Sequence, residues 1–225
     1  MIIFKKLLRK TLSVVAPQVV NAQKEAPIGL TKVNATRLLY FYEHMRSIKN
    51  IAGDVVECGV GWGRSMLALS IAIQALKQKR IIHGFDSFDG FPEPSLEDLP
   101  GKARRGHYKT RQDSVIKYLI NSGLDKDYVA SNVMLVLGFF SDSLEKYKGG
   151  KIALLHLDVD IYSSYKETLE FFYPKMVTGG IIAFDEYQSI EKYPGARKAI
   201  DEFFNGRREK IVRSNLIDRY YVVKA

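Results

Sequence analysis

Short apolar segments alternate with longer amphipathic segments from residue 53 to the end of the chain. The apolar segments are nearly continuous, which is typical of strands buried on both faces of a parallel sheet. The last two are separated by too few residues for a crossover helix, so they should pair antiparallel. The predicted strands are DVVECGV (54–60), RIIHGFDSF (80–88), NVMLVLG (132–138), KIALLHLDVD (151–160), GGIIAFDEY (179–187), EKIVRS (209–214) and DRYYVVKA (218–225).

The segments between these strands repeat apolar residues at about 3.6-residue spacing, which predicts helices. Gly123 is expected to end one helix and Ser141 to cap the start of the next. Together the elements predict an α/β, Rossmann-like fold: a seven-stranded, mostly parallel sheet with an antiparallel last strand and helices on both faces. The predicted helices cover residues 31–50, 64–79, 111–123, 141–147, 163–176 and 195–206.

The N-terminal 30 residues differ from the rest of the chain. We expect a basic helical extension over residues 1–30 and one catalytic domain over residues 31–225. Residues 2–15 have the spacing of a basic amphipathic helix. That helix either packs on its own domain or on a partner subunit, or it contacts a membrane surface.

Charge and cysteine content narrow the setting of the protein. The formal net charge of +9 is concentrated in residues 1–10 and 101–111, and no nucleic-acid-binding motif accompanies it. A nucleic-acid partner is therefore not expected. Cys58 is the one cysteine, lies in a predicted strand, and is expected to be a small buried side chain. With no apolar run of 18 residues, the sequence favours a protein of the reducing cytoplasm.

A glycine-rich turn, Glu57-x-Gly59-x-Gly61-x-Gly63, follows the first predicted strand. In open α/β sheets ligands bind beyond the carboxyl ends of the strands, where such a turn allows close approach of the backbone. Asp86 ends the second strand and is placed to accept hydrogen bonds from a ribose. The turn therefore predicts a nucleotide-like cofactor, although its spacing matches neither the dinucleotide fingerprint nor a P-loop. The alternative is a turn that serves only tight packing of the strand against the helix.

Four carboxylates lie at the ends of the fourth and fifth predicted strands: Asp158 and Asp160, then Asp185 and Glu186. Because neighbouring parallel strands bring their carboxyl ends together, these side chains should converge. A hard divalent ion such as Mg²⁺ would relieve their repulsion, with Asp158, Asp185 and Glu186 as ligands. Asp158 is the candidate for both ligand and catalytic base. The alternative is acidic residues that cap the next helices, with Asp160 the best case. His156 is interpreted as a buried, hydrogen-bonding histidine.

Four blocks carry a family resemblance: GDVVECGVGWGRS, FDSFDGFPEPS, HLDVDIYSSYKETLEFFYPKMVTGGIIAFDEY and PGARKAIDEFF. In this order they resemble the TylF-type macrocin and mycinamicin sugar O-methyltransferases, over about residues 31–223. The resemblance implies a class I methyltransferase fold, S-adenosylmethionine, a Mg²⁺ site held by Asp158, Asp185 and Glu186, and a homodimer or higher oligomer. The candidate cofactor-binding residues are Glu57, Gly59, Val60, Gly61, Trp62, Gly63, Ser65, Asp86 and Ser87, with Phe139 and Phe140 beside the adenine or in the core.

Two departures from the family pattern affect the site. Gly61-Trp62-Gly63-Arg64 stands where the family has Trp-Arg-Gly-Gly, and the usual Asp-Asp pair is Asp185-Glu186, which lengthens one ligand arm. The acceptor is expected to be a sugar hydroxyl on a glycoside or surface-glycan precursor. Two alternatives are a catechol-like phenol and a binding module without turnover. Arg104, Arg105 and His107, in the long loop of residues 88–109, contact an anionic acceptor or form a solvated charge cluster.

Overall fold

A computed structural model of the chain describes residues 31–225. The extension predicted over residues 1–30, and the amphipathic helix within it, lie outside the described residues. Within residues 31–225 one seven-stranded sheet has the order β3-β2-β1-β4-β5-β7-β6. The strands are β1 (Asp54–Cys58), β2 (Ile82–Asp86), β3 (Val133–Leu137), β4 (Ile152–Leu157), β5 (Met176–Phe184), β6 (Val212–Arg213) and β7 (Tyr220–Val223).

The pairing of the strands confirms the predicted fold class. Neighbouring strands from β3 to β5 are parallel, and β7 is antiparallel to both β5 and β6. All six residues of β4 are buried, so both faces of the sheet are covered at its centre. In the part of the chain that the structure describes, none of the helices is both long and apolar enough to cross a bilayer.

The helices agree with the periodicity in most places. The α-helices are α1 (Lys32–Ser47), α2 (Arg64–Ala75), α3 (Gln112–Asn121), α4 (Lys126–Asn132), α5 (Phe140–Ser143), α6 (Tyr162–Phe172) and α7 (Pro194–Phe204), and short 3-10 helices cover Leu96–Asp98, Leu144–Lys146 and Tyr173–Lys175. Gly123 has φ +96° and follows Ser122, the C-cap of α3, as expected of a helix stop. The prediction of Ser141 as an N-cap is wrong, because α5 begins after the extended residue Phe139 and Ser141 lies inside the helix.

Side chains of the central strands separate into two layers because they alternate between the faces of the sheet. Leu155 and Leu157 face α6 and α7 in the main apolar cluster, together with Cys58, which is buried as predicted. His156 of β4 faces the other way. There it meets Phe41 of α1, with 4.9 Å between the ring centroids. The helix α1 therefore covers the face of the sheet opposite α6 and α7.

Candidate active site

The register of the sheet aligns the ends of four parallel strands. Cys58 of β1 pairs with both Phe85 of β2 and Leu157 of β4, and Leu157 pairs with Phe184 of β5. The next residue of each strand therefore lies at the same edge. A cavity of about 590 Å³ opens along this edge, within the range of small-molecule sites. The four aligned edge residues are Asp86, Gly59, Asp158 and Asp185.

The glycine turn approaches the fourth strand too closely for a side chain. Gly59 has φ +82°, and a Cβ atom there would lie 1.8 Å from the backbone oxygen of Asp158. Gly63, at φ +79°, leaves room for Val115 of α3. At Gly61 a Cβ atom would meet no atom of residues 31–225 within 4 Å, so the backbone is open toward the cavity. Two of these glycines thus serve packing, and Gly61 presents backbone to a ligand.

Asp86 is fixed by the turn opposite it. Its Oδ2 accepts a hydrogen bond of 2.8 Å from the Gly61 N–H, and its Oδ1 accepts one of 2.6 Å from the Phe88 N–H. Burial raises the pKa of the Asp86 carboxyl, which these backbone donors oppose. Asp86 belongs to the cavity lining. The other predicted cofactor residues in that lining are Gly59, Val60, Gly61, Trp62, Ser65, Ser87, Phe139 and Phe140.

Glu57 and Gly63 do not line the cavity, although the sequence analysis placed both among the cofactor residues. Glu57 is fully buried behind the turn. Its Oε1 lies 3.1 Å from His156 Nδ1, and its Oε2 has no hydrogen-bond partner within residues 31–225. The other ring nitrogen of His156 lies 3.8 Å from Asp185 Oδ1. Glu57 therefore acts on the site through His156, which is buried and hydrogen-bonded as predicted.

Asp185 contacts both the buried Glu57–His156 pair and a cationic side chain. Arg219, which precedes β7, forms an ion pair of 2.6 Å with Asp185 Oδ1 and donates to the Asp185 carbonyl at 2.8 Å. Burial works against ionisation of Asp185, but His156 and Arg219 lower the pKa of its carboxyl below the usual value. Asp185 is therefore held as a carboxylate at the cavity edge.

Deprotonation of His156 is expected to lower the free energy of unfolding at alkaline pH. Burial alone would lower the pKa of His156, but Asp185 and Glu57 raise it to about 9. Because the folded pKa lies above the unfolded one, this stabilisation is complete below about pH 6.5 and is lost as the pH rises through 9. Between pH 6 and 9.5 we expect the free energy of unfolding of wild type to decrease by on the order of 3 kcal/mol more than that of His156→Gln. Urea unfolding of both proteins in EDTA, at a series of pH values, checks this prediction. Free energies of unfolding that change in parallel with pH in the two proteins would contradict it.

The carboxylates converge in two overlapping groups. Ligand atoms of Asp158, Asp160 and Glu186 lie within 4.8 Å of one another, and so do those of His156, Asp158 and Asp185. Burial, followed by the neighbouring carboxylates, raises the pKa of Asp158 to about 8. Burial also raises the pKa of Asp160, to about 7. The four carboxyl groups therefore do not all ionise at neutral pH unless a cation is bound.

Glu186 and Asp160 take places that the sequence did not indicate. Glu186 is buried; its Oε2 accepts a hydrogen bond of 2.6 Å from the Tyr165 hydroxyl and one of 3.3 Å from the Asp160 N–H. Asp160 has φ +59° and does not cap α6, whose N-cap position is Ile161. The helix-capping alternative for Asp160 is therefore wrong, and its carboxylate lines the cavity.

The long loop contributes to the cavity through residues other than its arginines. Of the three predicted acceptor residues, His107 lines the cavity, and Arg104 and Arg105 do not. The Arg104 guanidinium donates instead to the Gly101 and Ala103 carbonyls, at 3.1 and 2.6 Å. Arg104 thereby stabilises the loop's own backbone.

Comparison with known proteins places the chain in a family. The family described as Macrocin-O-methyltransferase (TylF) matches residues 6–220. The chain belongs to this family. The resemblance read from the four sequence blocks is thereby confirmed.

Individual relatives of this TylF-family chain are distant. A demethyldecarbamoylnovobiocin O-methyltransferase of Streptomyces niveus is 28% identical over 68% of the chain and 59% of its own length. A mycinamicin III 3''-O-methyltransferase of Micromonospora griseorubida is 26% identical over 68% of the chain and 61% of its own length. The chain thus spans about three fifths of these two relatives. The solved structure of the calicheamicin methyltransferase CalS11 is 24% identical to this chain. The match covers 97% of this chain and 90% of the CalS11 chain, with a TM-score of 0.77. This likeness shows the Rossmann-like methyltransferase fold.

The sequence patterns did not indicate several of the residues that line the cavity of this TylF-family chain. Tyr108 of the loop and Tyr193 at the start of α7 join their hydroxyls at 2.9 Å. Lys192 donates to the Tyr108 hydroxyl at 3.2 Å. These contacts tie the loop to the segment after β5. Arg37 of α1 and Arg219 complete the lining from positions far apart in the chain, and no spacing rule links them to the glycine turn.

Proposed function

We propose that this chain is an S-adenosylmethionine-dependent O-methyltransferase that methylates a sugar hydroxyl. One observation carries the proposal: Asp86, the glycine turn and the carboxylate cluster lie side by side along one cavity edge. A cofactor-binding edge and a cluster of hard oxygen ligands thus face a common space. Family membership supports the methyl-transfer chemistry, and the names of the two relatives support a glycoside acceptor.

The glycine turn and its partners form the cofactor-binding half. The open backbone at Gly61 allows close approach, and Asp86 is oriented by two backbone donors with lone pairs left for ribose hydroxyls. Phe139 and Phe140 line the same end of the site beyond β3 and are placed to flank an adenine. The core-packing alternative holds in part for Phe140, which packs against the main apolar cluster as well as bordering the cavity.

The carboxylate cluster fits a divalent cation. Residues 158, 160, 185 and 186 supply four carboxyl groups, and the cationic groups that oppose them within residues 31–225 are His156, Arg219 and Lys192. Burial first, and the neighbouring carboxylates second, raise the pKa values of Asp158 and Asp160, and a bound cation would relieve both effects. Asp158, Asp185 and Glu186 would hold the cation, with Asp160 a further oxygen donor. When bound, S-adenosylmethionine supplies an electrophilic methyl group and the cation lowers the pKa of the acceptor hydroxyl.

Two carboxylates are placed to take the acceptor proton. Asp158 remains our assignment for ligand and base together, because it belongs to both groups of converging ligand atoms. Asp160 is a second candidate, since it lines the cavity next to Tyr193 and a pKa of about 7 suits a base at neutral pH. In either case the chain positions the hydroxyl, removes its proton and shields the reaction from bulk water.

The acceptor half combines aromatic and cationic side chains. Phe91, Tyr108 and Tyr193 line it with Lys192 and His107. A sugar linked to a nucleotide, lipid or aglycone fits this mixture, because rings stack on apolar sugar faces and cations bind phosphate. The predicted homodimer and cytoplasmic location remain predictions.

Removal of divalent cations should abolish methyl transfer and leave cofactor binding intact. The reason is that Asp86 and the glycine turn are separate from the carboxylates that would hold the cation. We expect EDTA-treated protein to bind S-adenosylhomocysteine with unchanged affinity, and MgCl₂ to restore transfer. Calorimetry and a methyl-transfer assay on the same preparation check both halves. Full activity in EDTA would remove the cation from the mechanism.

Trp62 should report cofactor binding directly. It is the one tryptophan of the chain, lines the cavity and is 56% exposed. We expect S-adenosylhomocysteine to shift its fluorescence in a saturable titration, because a bound nucleoside displaces water from the indole. Trp62→Phe should remove the signal but retain binding by calorimetry. Saturation by calorimetry with unchanged emission would place the cofactor away from the turn.

A further inference from the structure

Helix α1 carries an aligned set of side chains toward the site. Positions 37, 40, 41 and 44 follow i, i+3, i+4, i+7 spacing and share one face. Phe41 packs on His156 of β4 at 4.9 Å, and His44 packs on Tyr221 of β7 at 4.8 Å between ring centroids. These contacts fix the helix across the sheet. Arg37, one turn toward the N-terminus on the same face, lines the cavity.

The cationic side chains of the cavity differ in how they are engaged. Arg219 pairs with Asp185, and Lys192 donates to Tyr108. Arg37 and Arg64 line the cavity with no hydrogen bond or ion pair to residues 31–225. Arg64 is exposed at the start of α2, whereas Arg37 is half-buried. Arg37 is therefore the more enclosed of the two arginines that are available to a ligand.

The cofactor's charge pattern explains what this arginine would bind. The lining carboxylates, from Asp86 to Glu186, favour a sulfonium and an ammonium group but repel the single carboxylate of the methionine moiety. An unpaired guanidinium can hold that carboxylate through two parallel hydrogen bonds. We propose that Arg37 binds the α-carboxylate of the methionine moiety of S-adenosylmethionine. The inference rests on the proposed function, because it requires this cofactor in the cavity.

A ligand pair that differs in the methionine moiety tests the assignment. S-adenosylhomocysteine carries the carboxylate, and 5′-deoxy-5′-methylthioadenosine lacks the whole amino-acid part. For Arg37→Met we expect affinity for the first to fall about 10- to 100-fold and affinity for the second to change less than about 2-fold. Arg37→Lys should recover part of the loss. Arg64→Met tests the second arginine of the lining, and Arg46→Met, at an exposed position of α1 outside the cavity lining, is the control that should leave both affinities unchanged. Calorimetry gives the affinities, and thermal unfolding checks that each variant is folded.

The outcomes separate this inference from the proposed function. Equal affinity of wild type and Arg37→Met for S-adenosylhomocysteine would overturn the inference alone. So would an equal loss for both ligands, or a selective loss in Arg64→Met. An increased KM for an anionic acceptor, with cofactor affinity unchanged, would assign Arg37 to that acceptor's phosphate instead. Wild type that binds neither ligand would overturn the proposed function and this inference with it.

Discussion

Replacing Asp158 by asparagine is expected to lower the rate of methyl transfer by about 10³-fold or more. Asparagine keeps the size of the side chain but removes the charge that would hold a cation and accept a proton. Affinity for S-adenosylhomocysteine should stay within a few-fold of wild type, because Asp86 and the glycine turn are unchanged. Since burial and like charges raise the pKa of Asp158 to about 8, the variant should unfold at no lower temperature than wild type in EDTA.

Two further variants make this prediction specific. Asp142→Asn changes an exposed carboxylate on α5 that accepts a hydrogen bond from the Ser141 hydroxyl and lies outside the cavity lining, and it should keep full activity. Asp160→Asn separates the two base candidates. If Asp158 is both ligand and base, Asp160→Asn should lose much less activity than Asp158→Asn. Unchanged turnover in Asp158→Asn would remove the mechanism, and loss in Asp160→Asn with cation binding intact would move the base to Asp160.

Adding one methyl group at Gly59 is expected to damage both stability and cofactor binding. At φ +82° an alanine is strained, and its Cβ would lie 1.8 Å from the Asp158 carbonyl oxygen. Either β1 or β4 must move at the point where the cofactor and carboxylate halves of the site meet. We expect Gly59→Ala to lower the melting temperature by about 10 °C or more and to abolish measurable binding of S-adenosylhomocysteine.

Gly206→Ala separates the clash from the backbone strain. Gly206 has φ +74°, and no atom of the described part of the chain lies within 4 Å of a built Cβ, so alanine there is destabilised only by the left-handed conformation. We expect a decrease of no more than about 4 °C and normal cofactor binding. Scanning calorimetry compares the two variants. Similar melting temperatures would show that the turn and β4 can separate without cost.

The centre of the sheet was predictable from sequence because β1, β2 and β4 are buried on both faces, and burial leaves continuous apolar runs. Neighbouring parallel strands have their carboxyl ends at the same edge of the sheet, so the convergence of Asp158 with Asp185 was predictable as well. The small elements were not. Lys126–Asn132 forms α4 with one buried residue, Val129, so it carries almost no periodic signal. The sixth strand pairs over Val212–Arg213 only, because its residues are exposed at the sheet edge.

Within the site, motifs identified positions better than roles. Glu57 belongs to the glycine motif, but its side chain faces α1 and contacts His156. The sequence pattern alone does not distinguish this buried contact from a contact with the cofactor. Arg219 lies in a short edge segment and reaches Asp185 only through antiparallel pairing of β7. Arg37 requires the packing of α1 to be known. Each of these residues depends on tertiary contacts between segments that are distant in sequence.

The measurement that tests the central claim most directly is the identity of the methylated product. The protein, S-adenosylmethionine with a labelled methyl group and MgCl₂ would be incubated with nucleotide-linked sugars, glycosides and catechols, and the products analysed by mass spectrometry with matched EDTA samples. Our account predicts a label on a sugar hydroxyl that appears only with the divalent cation. Label on the phenol alone, or sugar methylation unaffected by EDTA, would contradict it.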